Sequence, residues 1–133
     1  MFEILLAASL LLTQGDAKSV ALPDTPQGKH VKSYIDAFNS GDEKKFMAWF
    51  EAHVSPAVLA RRSPEERAKM FQRMKGDFGK LAVAKVLKST AQQIQVVFPT
   101  ADGQAEGTFT FDFEAEAPYK IAGIGVEVQS ALP

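Results

Sequence analysis

Two polar side chains of this sequence share helix faces with apolar residues, and they are the first candidates for chemistry: His53 and Arg67. Side chains in an α-helix repeat about every 3.6 residues, so His53 falls on a face with three aromatic residues. Those residues are Phe46, Trp49 and Phe50. By the same spacing Arg67 falls in phase with Phe78, on a face that also carries Met70, Phe71 and Met74. Both side chains are therefore expected to reach the interior.

Such groups can bind a ligand or move a proton. An imidazole can act as a base, a guanidinium can pair with an anion, and the Tyr34 hydroxyl can donate a hydrogen bond. Together in an apolar pocket they would orient an anionic or carbonyl ligand. The simpler interpretation is structural: His53 would bond a loop carbonyl at the end of its helix, and Arg67 would lay its stem along the core.

The sequence offers little for other chemistry. Acid–base catalysis of the isomerase type needs a carboxylate inside the cavity. Asp112 and Glu114 alternate with phenylalanines, so they are expected to point outward. The chain has no cysteine, and its two histidines, His30 and His53, lack metal-ligand spacing. No phosphate loop or nucleophile motif is present. We therefore predict no metal and no cofactor.

Composition limits the class of protein. The chain has 133 residues, of which 46% are hydrophobic and 23% charged, and this suits one folded domain with one core. The formal net charge of −1 argues against a nucleic-acid partner, which needs a basic surface.

The first residues predict a signal peptide. The apolar run from Ile4 to Leu12 is too short to span a bilayer but suits the core of a leader, and small residues precede Lys18 at a cleavage position after Ala17. No Lys or Arg precedes the run, and an N-terminal helix docked on the domain is the alternative. We predict a leader at 1–17, a linker at 18–24 and one domain at 25–130. The protein would be secreted or periplasmic in a bacterium, without stable membrane insertion after cleavage.

Three helices are predicted from their end signals. Thr25 and Pro26 begin the first, which Asn39, Ser40 and Gly41 end. Asp42 caps the second at once, so the two helices meet at a tight corner. Ser63, Pro64 and Glu66 form a capping box for the third, and Gly79 ends it. The segment between the second and third helices is predicted as a loop with one short turn.

After Gly79 the hydrophobic period changes from 3.6 to 2, which predicts four strands. These are LAVAKVLK, QIQVVF, GTFTFDFEA and YKIAGIGVEV. The third has one apolar and one polar face, as in an antiparallel sheet covered on one side. In the fourth the apolar pattern slips by one residue, which predicts a bulge near Gly123. The fold class is α+β, with three N-terminal helices on a curved antiparallel sheet of about four strands.

Three segments resemble nuclear-transport-factor-2-like domains of the cystatin-like cone type: YIDAFNSGDEKKF, SPEERAKMFQRMKGDFG and FTFDFEAEAPYKIAGIGVEV. The chain is similar to secreted bacterial versions associated with β-lactamase-like or peptidase domains. The resemblance covers roughly Thr25 to Gln129 and implies a helix-backed sheet around an apolar cavity. The family includes isomerases, cyclases, dehydratases and non-enzymatic binding or dimerising domains, so fold alone does not give activity.

We predict a secreted, non-enzymatic domain that binds a small apolar or anionic amphiphilic ligand in the helix–sheet cavity, or acts as an accessory or dimerisation module. The alternatives are a cofactor-free isomerase or lyase with His53 as base, and an interaction module with a filled cone. A homodimer would use the outer sheet face, which carries Thr108, Thr110, Asp112 and Glu114. The predicted pocket residues are Tyr34, Trp49, His53, Arg67, Phe109, Phe111 and Phe113. The three phenylalanines are interpreted first as core and second as pocket wall.

Overall fold

The computed structural model describes residues 21–131, which form an α+β domain. The predicted leader at 1–17 and its cleavage position lie outside the described residues. The helices are α1 (Pro26–Asn39), α2 (Glu43–His53), α3 (Pro56–Leu59) and α4 (Pro64–Phe78), and the strands are β1 (Lys85–Ser89), β2 (Gln93–Pro99), β3 (Ala105–Phe113) and β4 (Ile121–Ser130). The α+β class and the four antiparallel strands are confirmed. The described chain has four helices instead of three, because α3 forms where a loop with one turn was predicted.

The corner between α1 and α2 is built by the residues that predicted it. The Thr25 hydroxyl accepts a hydrogen bond from the Gly28 amide at 3.0 Å and begins α1. Gly41 has a φ of 74°, which suits a residue without a Cβ. The Asp42 carboxylate then accepts from the Lys44 amide at 2.9 Å and begins α2. Because α2 begins directly after α1 ends, the chain changes direction at this corner and the two helices form a pair.

Helix α4 has the predicted capping box. The Ser63 hydroxyl accepts from the Glu66 amide at 3.1 Å, and the Glu66 carboxylate accepts from the Ser63 amide at 2.8 Å. The sequence predicts that the first strand begins at Leu81, but in the structure β1 begins at Lys85. The reason is a contact with α1: the Asn39 side chain donates to the Leu81 carbonyl at 2.9 Å and accepts from its amide at 2.7 Å. These bonds occupy the backbone that a strand would need.

The four strands lie in the order β1-β2-β3-β4, each antiparallel to its neighbour. Asp112 pairs with Gly123 but Phe113 pairs with Ile121, so Ala122 is an extra residue in β4. This confirms the bulge predicted near Gly123, which brings Ile121 and Ile124 onto the same face. The opposite face is polar, and Asp112 accepts a hydrogen bond from Gln93 there at 2.8 Å.

The core lies between the inner sheet face and the helices. Phe109 and Phe111 are fully buried, and the Phe111 ring meets the Tyr34 ring of α1 at 5.3 Å. At the other end of the sheet, a Cβ built on Gly107 would lie 2.7 Å from the Phe78 ring, so α4 ends directly over that glycine. The helices do not cover all of β4, because Val126 and Val128 remain 44% and 57% exposed.

Candidate functional site

A groove of about 690 Å³ runs between α4 and β4. The apolar part of its helix wall is formed by Met70, Met74 and Phe78, which recur every four residues on one face. Its strand wall consists of Ile124, Val126 and Val128, which alternate along β4. The volume falls within the range of about 300–1,000 Å³ that is usual for small-molecule sites. The groove can therefore receive an elongated apolar molecule.

The direction of the groove follows from two contacts. Phe78 lies over Gly107, and Gly107 pairs with Val128. At the other end the segment after α2 reaches the beginning of β4, where Val54 bridges Ile121. Arg67, near the start of α4, donates to the Leu59 carbonyl of α3, which follows Val54 closely. Helix α4 therefore runs along β4 in the same direction, with Arg67 at the Ile124 end and Phe78 at the Val128 end.

Arg67 is the buried charge of this groove. Its side chain is 8% exposed, and its Nη1 donates to the Leu59 carbonyl at 3.1 Å and the Arg62 carbonyl at 2.7 Å. The guanidinium carbon lies 5.7 Å from the Phe50 ring centroid, a cation–π contact. The Nε atom is buried and has no hydrogen-bond partner. Within residues 21–131 no carboxylate forms an ion pair with Arg67.

Tyr34 also lines the groove, from the α1 side. Burial raises the pKa of its phenol well above the ordinary value, so the hydroxyl stays neutral and can donate a hydrogen bond. No residue of the described part of the chain bonds that hydroxyl. Tyr34 and Arg67 thus both bring unused hydrogen-bond donors to the groove.

The mouth of the groove is richer in positive than in negative charge. Arg61, Arg62 and Arg73 line it together with Arg67, whereas only Glu66 and Asp77 carry negative charge there. Glu66 is already used in the capping box of α4. The groove is therefore biased toward anions, although the whole chain has a formal charge of −1.

His53 lies away from this groove, in a pair with His30. The two Nδ1 atoms are 2.9 Å apart, and His30 Nε2 donates to the Pro118 carbonyl at 2.8 Å. With Nε2 protonated, a neutral His30 accepts at Nδ1, so His53 is the donor. The His53 ring stacks on Trp49 with centroids 5.3 Å apart. The pair joins α1, α2 and the turn before β4.

The environment of this pair lowers the pKa of His53. Burial is the main cause, and the charges of His30 and Lys120 add to it. Sequence reasoning missed the pair, because it treated the two histidines separately. The available signal was that His30 lies four residues before Tyr34 and eight before Phe38, on the same inward side of α1.

The predicted pocket residues are divided among three places. Tyr34 and Arg67 line the groove. His53 and Trp49 belong to the histidine pair, and Phe113 lies beside it with its ring 6.3 Å from His30. Phe109 and Phe111 are core. The groove lies against β4. Its lining residues that the sequence did not indicate are the two methionines of α4 and the inner side chains of β4. A ligand-binding role for the predicted pocket residues stays a prediction.

Within residues 21–131, no group of three or more histidines and carboxylates is arranged to hold a metal ion. In the same range no helix has both the length and the apolar character to cross a membrane.

Comparisons with known proteins give no match to any family model, curated protein or solved structure. The resemblance to nuclear-transport-factor-2-like domains therefore stays a prediction.

Proposed function

We propose that this domain binds a small amphipathic ligand in the groove between α4 and β4, without catalysing a reaction. The observation that carries the proposal is the apolar strand wall: Val126 and Val128 stay exposed opposite Met74 and Phe78. When a ligand replaces the water between apolar side chains that face each other across an open groove, the binding free energy improves by about 25 cal/mol per Å² of apolar surface buried. Contiguous apolar surface of this kind usually marks a binding site.

The wider setting is also a proposal. The order of helix pair, capped helix and bent sheet, with a bulge in the last strand, agrees with a nuclear-transport-factor-2-like cone. The run from Ile4 to Leu12 supports export to a secreted or periplasmic location. The polar outer sheet face supports a role in dimerisation. No observation favours the isomerase alternative, since His53 is bonded to His30 and does not line the groove.

The test is a titration with Nile red, a neutral apolar dye, followed by fluorescence. We expect saturable binding to the unmodified protein. Val126→Glu places a carboxylate in the strand wall and should weaken binding about tenfold or more, because it removes apolar contact and adds a charge that must be desolvated.

The matched control is Gln129→Glu, which adds the same charge to the same strand on the opposite face. It should leave dye binding unchanged. Both positions are exposed, so both variants should fold. Absence of saturable binding, or equal binding by the two variants, would contradict the proposed function.

A further inference from the structure

We propose that the ligand carries a two-oxygen anionic head group, a carboxylate or a phosphate, that pairs with Arg67 while its apolar tail lies along β4 toward Val128. This inference rests on the proposed function and adds the chemical class and orientation of the ligand.

Arg67 has hydrogen-bond donors that the protein does not use. A guanidinium has five N–H donors in a fixed plane. In this chain Nη1 is used by the carbonyls of Leu59 and Arg62. Nε has no partner, and no hydrogen bond from Nη2 is formed within residues 21–131. Nε and Nη2 lie along one edge of the plane, and two parallel donors at that spacing match two oxygens of a carboxylate or phosphate.

The charge of Arg67 also favours an anionic ligand. A guanidinium removed from water costs free energy unless an anion or a full set of hydrogen bonds compensates. The Phe50 ring and two carbonyls compensate in part, but no carboxylate in the described chain pairs with Arg67. Three further arginines stand at the mouth. They would attract an anion to the groove, and Arg67 would hold it.

The position of Arg67 in the groove sets the orientation of the ligand. Arg67 lies at the Ile124 end of the groove, and from Arg67 to Phe78 α4 is about 16 Å long at about 1.5 Å per residue. Beyond Arg67 the apolar side chains of α4 that line the groove are Met70, Met74 and Phe78, and the two charged side chains that also line it, Arg73 and Asp77, are of opposite sign. A tail would therefore extend from Arg67 toward Val128.

The experiment is isothermal titration calorimetry of the full chain with three probes that share one alkyl chain: decanoate, decyl phosphate and decan-1-ol. The unmodified protein should bind at least one of the two anions roughly ten- to a hundredfold more tightly than the alcohol. The anion that binds more tightly identifies the head group as carboxylate or phosphate. Arg67→Met should lose this preference but keep its affinity for the alcohol, because the packing of the stem is retained.

Lys69→Met is the control, since it removes one positive charge from the exposed face of the same helix. It should keep the preference for anions. If Arg67→Met does not fold, Arg67→Lys keeps the charge but loses the two-donor edge, and it should lose most of the preference.

The outcomes separate the two proposals. Equal affinity for the anions and the alcohol, or an unchanged preference in the Arg67 variant, would overturn this inference and leave groove binding intact. Failure of all three probes to bind would contradict the proposed function itself.

Discussion

Acidification should destabilise this fold through His53, and His53→Phe should remove that dependence. The unfolded chain binds a proton at His53 near the ordinary pKa of 6.5, whereas the folded chain binds it only at lower pH. As the pH falls below about 6.5, the unfolded state therefore binds a proton at His53, whereas His53 of the folded state is still neutral. The free energy of unfolding should decrease through this window and level off below the folded-state pKa.

The geometry gives the size of the effect. The bond between the two Nδ1 atoms, at 2.9 Å, is worth about 0.5–1.5 kcal/mol net. His53 donates this bond from Nδ1, so its acid proton enters at Nε2, and the cost of protonation is a charge on a partly buried ring and not the loss of the bond. His53→Phe keeps the stacking on Trp49 but removes this bond and the titration. The variant should be less stable by about that amount near pH 7.5, and the difference should narrow as the pH falls.

The assay uses Trp49, which is the single tryptophan of the chain and is stacked on His53. Its emission should follow protonation of the neighbouring imidazole in the folded protein, and urea unfolding at several pH values gives the stability. Lys120→Met is the control: it removes a positive charge that opposes protonation, so the midpoint should move to higher pH. An emission midpoint at or above 6.5, or an equal pH dependence of stability in His53→Phe, would refute the reasoning.

Three further predictions concern packing, assembly and export. Gly107→Ala should cost about 1–3 kcal/mol in urea unfolding, because the new methyl would lie 2.7 Å from the Phe78 ring, and Phe78→Leu should relieve part of that cost; no loss of stability would disprove the contact. The outer sheet face should form a weak homodimer, so light scattering at micromolar concentration should give a mass above the 14.5 kDa chain, and a monomer mass throughout would exclude it. Mass spectrometry of the exported protein should find Lys18 at its N-terminus, whereas retention of Met1 in the cytoplasm would contradict the leader.

Much of the fold was predictable because its signals are local. Thr25, Asp42 and Ser63 begin their helices with hydrogen bonds to amides two or three residues away, so sequence spacing alone identifies them. The bulge at Ala122 was predictable for the same reason, since a slip in strand alternation requires an extra residue. The strand start at Lys85 was not, because the competing bonds to Leu81 come from Asn39, which lies 42 residues earlier in the chain.

The site was only half predictable. Helical phase identified Arg67 and Tyr34 as inward polar groups, and both line the groove. Helical phase also predicted that the His53 side chain points toward the interior, but it does not show which part of the interior a side chain contacts. His53 contacts His30 and does not line the groove. Phe109 and Phe111 are buried in the core, against the rings of Phe98 and Tyr34. Which side chains of β4 line the groove depends on how much of β4 is covered by α4. Sequence spacing within one element does not determine how the helices pack on the sheet.

The central claim is that a ligand occupies the groove between α4 and β4. A methyl-detected NMR titration with decanoate tests it most directly, because the walls carry methyl groups at Met70, Met74, Ile124, Val126 and Val128. We expect these signals to shift together and saturate, while the core methyls of Ile94 and Val96 and the Trp49 indole stay unchanged. Shifts confined to Trp49 and its neighbours, or no saturable shift at the groove methyls, would contradict it.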